Sequence, residues 1–400
     1  MYHAARGTPR RAARMDSLNV DVAIVGAGPA GSRAAYCLAR GGARVALIDG
    51  SHPREKPCGG GVTGRALALV ADAVDTARLP SRRIHAARFV DAAAGRSITV
   101  PLGADALVVA SRAEFDGLLL DAARGAGTQF VAARAVDVTR SPDGFVVDTG
   151  SRRVAARRLI GADGPNSLVR RRLARPFARA DLSIATGYFA HGAATDDIVV
   201  ELAADPPGYL WSFPRPGHLA VGICGQADAG ATASDLRSRT AHWMDRLALA
   251  DGARLEPYSW PIPSLSAAAF RALTVAGPEW FLAGDAAGLV DPITREGIYF
   301  ALRSGELAAQ AALSSGDAHV RYQEQVHDEI TADLAIAARY KAGFFRPRFA
   351  RLLIDALTDS AGVRAVMADL VAGRRAYSSL KWSLAGTFEV GLAWRLLTAS

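Results

Sequence analysis

Along the chain, short apolar runs of strand length alternate with helix-length amphipathic stretches. That rhythm gives way to closely spaced strands in the middle and to helices toward the end. Residues 21–25 read as a buried strand, 31–41 as a helix and 43–49 as a second strand. Residues 50–61 hold too many Gly, Pro and charged residues for regular structure. A helix follows, then strands near 86–90 and 97–100, and a strand at 108–110 that runs into an amphipathic helix. Ser111 is placed to cap that helix, with Glu114 at capping-box spacing. Residues 129–160 alternate as short strands around a Ser141-Pro-Asp-Gly144 turn. Further strands are expected at 184–190, 198–202, 209–214, 219–224 and 280–283, with a helix starting after Pro292 and helices from about Glu306 onward.

The chain is organised around Asp21-Val-Ala-Ile-Val-Gly-Ala-Gly-Pro-Ala-Gly31. Gly26, Gly28 and Gly31 have G-x-G-x-x-G spacing between a strand and a helix, which suits a pyrophosphate at the helix N-terminus. Asp49 closes the next strand, at the distance a ribose hydroxyl contact needs. Gly59-Gly-Gly-Val-Thr-Gly64 matches the same spacing but follows Pro57 and Cys58 rather than a strand, so it is not a second nucleotide fold. Its glycines let backbone lie flat against a planar ring. Cys58, within that loop, reads either as a small buried residue or as a thiol beside a redox cofactor. Arg112 falls in the first turn of a helix, where a cation gains nothing from the dipole, so an anion or hydroxyl chain is its expected partner.

Asp163 and Asp285 each stand at the carboxyl end of a strand, where doubly wound sheets bind ligands. In Gly208-Tyr-Leu-Trp-Ser-Phe-Pro214 the aromatics Tyr209, Trp211 and Phe213 share one strand face. Packing in a second core and an apolar pocket wall both account for them. The small residues after Asp285 permit close approach, and the helix N-terminus around Gly297 offers N–H groups to negative charge.

Composition narrows the options. Half of the 400 residues are apolar, enough for a large core. The net charge of +8 is spread thinly, and no zinc-finger spacing or RNA-binding signature accompanies it, so nucleic acid is not an expected partner. Three scattered cysteines argue against a disulfide framework and for a reducing, cytoplasmic setting. No metal-ligand spacing was found, and no apolar run is long enough to span a bilayer. The basic, apolar stretches at 344–354 and 377–397 read as helices packed on the body, with peripheral contact at a membrane as the alternative.

The opening glycine motif, Arg112 in its strand-to-helix setting, Gly161-Ala-Asp-Gly164 and Gly284-Asp285-Ala-Ala-Gly288 resemble the para-hydroxybenzoate hydroxylase-like flavoproteins. Within that group, Lys56-Pro-Cys-Gly-Gly-Gly61 and Tyr209-x-Trp-x-Phe-Pro214 resemble the geranylgeranyl reductases, which reduce isoprenoid double bonds with FAD. The resemblance implies an α/β protein: a Rossmann-type FAD-binding domain interleaved with a mixed or antiparallel-sheet substrate domain, and a C-terminal helical region. The expected boundaries are a disordered basic leader at 1–18, FAD-binding segments at 19–177 and 276–310, a substrate sheet at 178–275 and helices at 311–400.

It also implies roles. Gly26, Gly28, Ala30 and Gly31 would hold the pyrophosphate, Asp49 the adenosine ribose, and the Val136 backbone the adenine. Arg112, Gly284 and Asp285 would secure the phosphate and ribityl region, and Asp163 and Gly164 would lock the cofactor. Gly59, Gly60, Gly61, Pro292, Gly297 and Ile298 would surround the isoalloxazine, with Tyr209, Trp211 and Phe213 against a hydrophobic substrate. Cys58 and Arg295 are the candidates for the reacting centre. Arg295 is a departure, because the family usually has glycine there. NAD(P)H is the expected transient reductant, since only one nucleotide fold is present. The rival readings are an FAD-dependent monooxygenase, halogenase-like or hydroxylating, and a flavin-binding lipid-surface protein without turnover.

Overall fold

Residues 22–25 of the first strand, Asp16–Val25, are all buried, as a parallel strand covered on both faces requires. The structure, a computed structural model, describes residues 16–92 and 94–387. The first strand lies between Val45–Ile48 and Arg152–Gly161, parallel to both, and Trp280–Leu282 and Gln129–Val131 extend the sheet on either side. This is the Rossmann-type arrangement. An antiparallel ribbon, Asp137–Ser141 and Gly144–Asp148, joins it through Arg152–Gly161.

The strand begins inside the stretch expected to be a disordered leader. Asp16, Ser17 and Leu18 pair with Arg152, Arg153 and Val154, and Asp16 forms an ion pair with Arg152. Positions 1–15 lie outside the described residues. The first helix, Pro29–Arg40, starts earlier than its apolar pattern suggests, because Pro29 fits the first helical position and Gly28 serves as N-cap.

A second sheet of seven strands stands beside the first, in the order Arg254–Pro263, Leu182–His191, His218–Gln226, Pro207–Arg215, Ile198–Ala204, Ala86–Asp91, Arg96–Pro101. All its neighbours are antiparallel except Ile198–Ala204 with Ala86–Asp91. A small sheet of Gly61–Thr63, Leu107–Ala110 and Ser81–Arg83 packs against Pro207–Arg215 of the seven-stranded sheet. Ser111 accepts from the Glu114 amide at 3.4 Å and caps the helix Arg112–Gly125, but its hydroxyl donates to Glu55.

The expected helix after Pro292 begins later, at Ile298, and runs to Leu313. Asp291 causes the delay: its carboxylate accepts from the Ile293 and Thr294 amides and holds the chain in a turn. The later helices are Ala318–Val326, Ala332–Phe344, Pro347–Asp359, Ala361–Val371 and Leu380–Ala385. Phe349, Leu353, Ile354 and Leu357 turn inward onto Ala87, Phe89 and Val100 of the seven-stranded sheet. Each such side chain contributes about 1.5–3 kcal/mol when fully buried. The apolar side of 344–354 is therefore packed on the body. Of the 377–397 stretch, Trp382 is 82 % exposed, and the positions beyond Thr387 lie outside the described residues.

Candidate active site

A cavity of about 1020 Å³ runs from the glycine turn, past the aromatic strand, to the C-terminal helices. Its polar end is made by the turn after the first strand. A methyl group on Gly26 would lie 2.3 Å from the Ala162 carbonyl oxygen, and one on Gly31 would lie 1.8 Å from that of Gly26. At Gly28 the nearest atom is 3.6 Å away, on His52, so this backbone faces open space at the start of a helix. Amides of a helix N-terminus, unobstructed by side chains, fit a pyrophosphate. Ala30 packs beneath Gly284, where φ is +58°, and this brings the second strand-end turn against the first.

Asp49 borders the cavity, but its carboxylate is engaged by protein. It accepts from the amides of Ala27 (2.9 Å), Ser51 (2.7 Å) and His52 (2.9 Å), and meets His52 Nδ1 at 2.8 Å. Burial works against its charge, but His52 and the amides prevail and hold the carboxyl well below the usual range. His52 Nε2 lies 3.6 Å from Asp116, whose two oxygens are gripped by Arg112 Nε and Nη2 at 2.9 and 2.7 Å. Arg112–Asp116–His52–Asp49 is thus a continuous charged string under the cavity wall. The Arg112 guanidinium fork holds the Asp116 carboxylate, its Nη1 faces the Cys58 sulfur at 3.7 Å, and the residue borders the cavity. Burial disfavours the His52 cation, but the two carboxylates outweigh it and raise its pKa. No sequence pattern pointed to His52, which sits in an irregular loop.

Val136 lies at the cavity mouth, 54 % exposed, with its amide committed to the Asp148 carbonyl at 2.8 Å. Asp163 and Gly164 border the cavity too. The Asp163 carboxylate, however, caps the helix Leu168–Leu173, accepting from Ser167 Oγ and the Leu168 and Val169 amides. Burial pushes its carboxyl up. Asp285 meets Lys56 Nζ at 2.8 Å. Gly297 caps the helix Ile298–Leu313, and both Gly297 and Ile298 face the cavity. Pro292 does not; it is buried behind the turn that Asp291 holds, and Ile293 borders the cavity in its place.

The Gly59–Gly61 loop is clamped from the second sheet. A methyl group on Gly59 would lie 2.8 Å from the Phe213 ring, and Gly60 has φ +82°. Arg215, two residues beyond Phe213, is 1 % exposed. It donates to the carbonyls of Gly59 (3.1 Å) and Cys58 (2.5 Å) and pairs with Glu55. Its Nη2 is also 3.5 Å from the Cys58 sulfur, so two guanidinium groups flank that thiol. Sequence reasoning missed Arg215, although the alternation 209, 211, 213 continues to it. Tyr209, Trp211 and Phe213 do share a face, cluster with Tyr258 and Cys224, and line the cavity. The Tyr209 hydroxyl donates to the Thr294 carbonyl at 3.0 Å. Arg295 borders the cavity with φ +61°, the left-handed region that glycine adopts at no cost.

The sequence profile of the FAD binding domain family matches residues 19–304. A menaquinone reductase of Mycolicibacterium smegmatis is 31 % identical over 361 residues, 82 % of this chain and 85 % of the relative. A geranylgeranyl diphosphate reductase of Rhodobacter capsulatus is 31 % identical over 313 residues, 74 % of this chain and 76 % of the relative. The chain belongs to the geranylgeranyl reductase family of FAD-dependent oxidoreductases. A solved geranylgeranyl bacteriochlorophyll reductase-like protein from Thermoplasma acidophilum shares the fold of this oxidoreductase. It has a TM-score of 0.78 and 23 % identity, and the match covers 93 % of this chain and 100 % of that one. FAD is the family cofactor, and the glycine cradle and open helix N-terminus suit its pyrophosphate. Among the described residues of this flavoprotein, no helix is long and apolar enough to cross a membrane.

Proposed function

We propose that this oxidoreductase reduces carbon–carbon double bonds of an isoprenoid chain, or of a similarly hydrophobic tail. The supporting observation is the single cavity that joins the amide-lined cradle to an aromatic wall and an apolar end. Reduced FAD supplies hydride to such an alkene. The chain's own part is to hold the tail and keep water out. Tyr209, Trp211 and Phe213 form one wall, and Phe89, Val200, Met367 and Val371 line the far end. The neighbouring carbon also needs a proton, and Cys58, at the cavity edge, is the side chain assigned to hold it. NAD(P)H is the proposed reductant, visiting without a second nucleotide fold. Peripheral attachment to a membrane through the C-terminal helices would give access to lipid substrates, and the exposed Trp382 supports it. A hydrophobic small molecule is the proposed partner, and nucleic acid has no part in this reading.

The test is anaerobic. The purified flavoprotein is reduced, and a geranylgeranyl lipid or a quinone with an isoprenoid tail is added. Return of the oxidised flavin absorbance with a saturated product by mass supports the reading. Reoxidation that waits for oxygen and yields a hydroxylated product would replace it with a monooxygenase. Cys58→Ala is expected to lower kcat about 100-fold or more with flavin content unchanged, the loss typical of a removed proton donor.

A further inference from the structure

Within the string Arg112–Asp116–His52–Asp49, His52 is the cation that faces the glycine turn. Its ring borders the cavity. The atoms nearest the outward side of Gly28 are its Nε2 and Cε1, at 3.6 and 4.0 Å from where a methyl carbon would stand. The two ring nitrogens are used unequally. Nδ1 meets the Asp49 carboxylate at 2.8 Å, whereas Nε2 is 3.6 Å from Asp116, beyond hydrogen-bond distance. One carboxylate therefore fixes the ring, and the Nε2 proton is left for a ligand at the start of the helix Pro29–Arg40.

The other cations around this turn are committed to carboxylates. Arg112 grips Asp116 with two nitrogens, and Lys56 meets Asp285 at 2.8 Å. Arg33, in the first helix itself, pairs with Asp72 and Glu306. Charge balance points the same way. With His52 protonated the string is neutral, two cations against two carboxylates. Without that proton it is a net anion, set beside amides that suit a doubly charged pyrophosphate.

We propose that the His52 imidazolium binds the FAD pyrophosphate at the Gly28 cradle, and that its proton makes cofactor retention depend on pH. Nε2 donates to a phosphate oxygen while Nδ1 stays on Asp49. The two carboxylates keep the proton on the ring: burial works against the cation, but Asp116 and Asp49 outweigh it and raise its pKa. Asp49 faces the ring from the end of the strand Val45–Ile48, and Asp116 from the helix Arg112–Gly125 with Arg112 behind it. The first helix has no acidic side chain in its first turn. A bound phosphate raises the histidine pKa further, so retention is strongest below that pKa and weakens as pH rises through it. On the acid side retention holds longer, because the lowered pKa values of Asp49 and Asp116 keep both charged. Retention belongs to the flavoprotein whatever substrate it reduces, so failure of the reductase reading leaves this site standing.

The experiment uses the full-length holoenzyme. It is diluted in series from about pH 6, near the ordinary histidine value, to about pH 9, and released FAD is read by its recovered fluorescence. The Kd is expected to rise about tenfold or more across that range, the scale of one charge-assisted hydrogen bond. Phosphorus NMR of concentrated holoenzyme should show a pyrophosphate resonance shifting along the same curve. His52→Gln keeps an N–H without the charge, and is expected to weaken FAD about tenfold at about pH 6 and to abolish both pH dependences. His52→Arg, a cation at every pH used, is expected to hold FAD without the alkaline loss. A native Kd that does not change with pH overturns the proposal, as does an alkaline loss that persists in either variant. A Kd that follows His52 while the phosphorus signal stays still also overturns it, because the histidine would then act through Asp49 on the adenosine ribose.

Discussion

At residue 31 an added methyl carbon would sit 1.8 Å from the Gly26 carbonyl oxygen, and backbone cannot yield as a flexible side chain can. Gly31→Ala is therefore expected to force the helix from the strand, at about 1–3 kcal/mol for overpacking. Purified variant should carry little flavin, as read from its visible absorbance. Arg112→Met removes one partner of a pair whose other member, Asp116, is fully buried. Breaking such a pair costs about 3–5 kcal/mol, so a clear fall in Tm is expected. His52 gives the string a pH signature. Its raised pKa means that its stabilisation is complete below its ordinary value near 6.5 and is lost as pH rises through the raised value. Asp49 and Asp116 act oppositely, because their lowered pKa values make their contribution fade as the medium becomes acid. Holoprotein Tm should accordingly decline on the alkaline side of neutrality, and His52→Gln should flatten that decline.

The strand–turn–helix at 21–40 could be read from sequence because glycine spacing and apolar periodicity agree there, whereas the strand's start at 16–20 was not read. The aromatic strand was equally legible through its alternation. The edge strand Arg254–Pro263 was not: Pro257, Pro261 and Pro263 disguise it, and an edge position is where prolines are tolerated. The helix Ala233–Arg246 was overlooked although Thr232 and Asp235 form a reciprocal cap at its start. The helix N-terminus around Gly297 was legible, but the turn at 293–297 before it was not separated from the helix, because its organiser, the buried Asp291, acts through side-chain bonds that no periodicity reveals. At this scale Phe213→Ala is the informative change, since the ring lies against both Gly59 and the cavity. The apparent KM for an isoprenoid substrate should rise about tenfold, the scale of a few lost methylene contacts, with flavin content retained.

Neither sheet is built from one continuous piece of chain. The seven-stranded sheet borrows Ala86–Asp91 and Arg96–Pro101 from early sequence, and the C-terminal helices return to cover those strands. Leu357, fully buried at that cover, should cost about 2–5 kcal/mol when cut to alanine, measurable by urea unfolding. Arg215 ties the seven-stranded sheet to the 55–61 loop, at the Cys58–Gly59 backbone and at Glu55, some 160 residues earlier in the chain. A protein engineer seeking to transplant substrate preference between reductases therefore cannot treat the second sheet as a cartridge. A graft of 178–275 alone would pair Arg215 with a foreign loop. One that brings residues 55–61 along keeps the seam intact, and such chimaeras are the ones expected to retain both flavin and turnover.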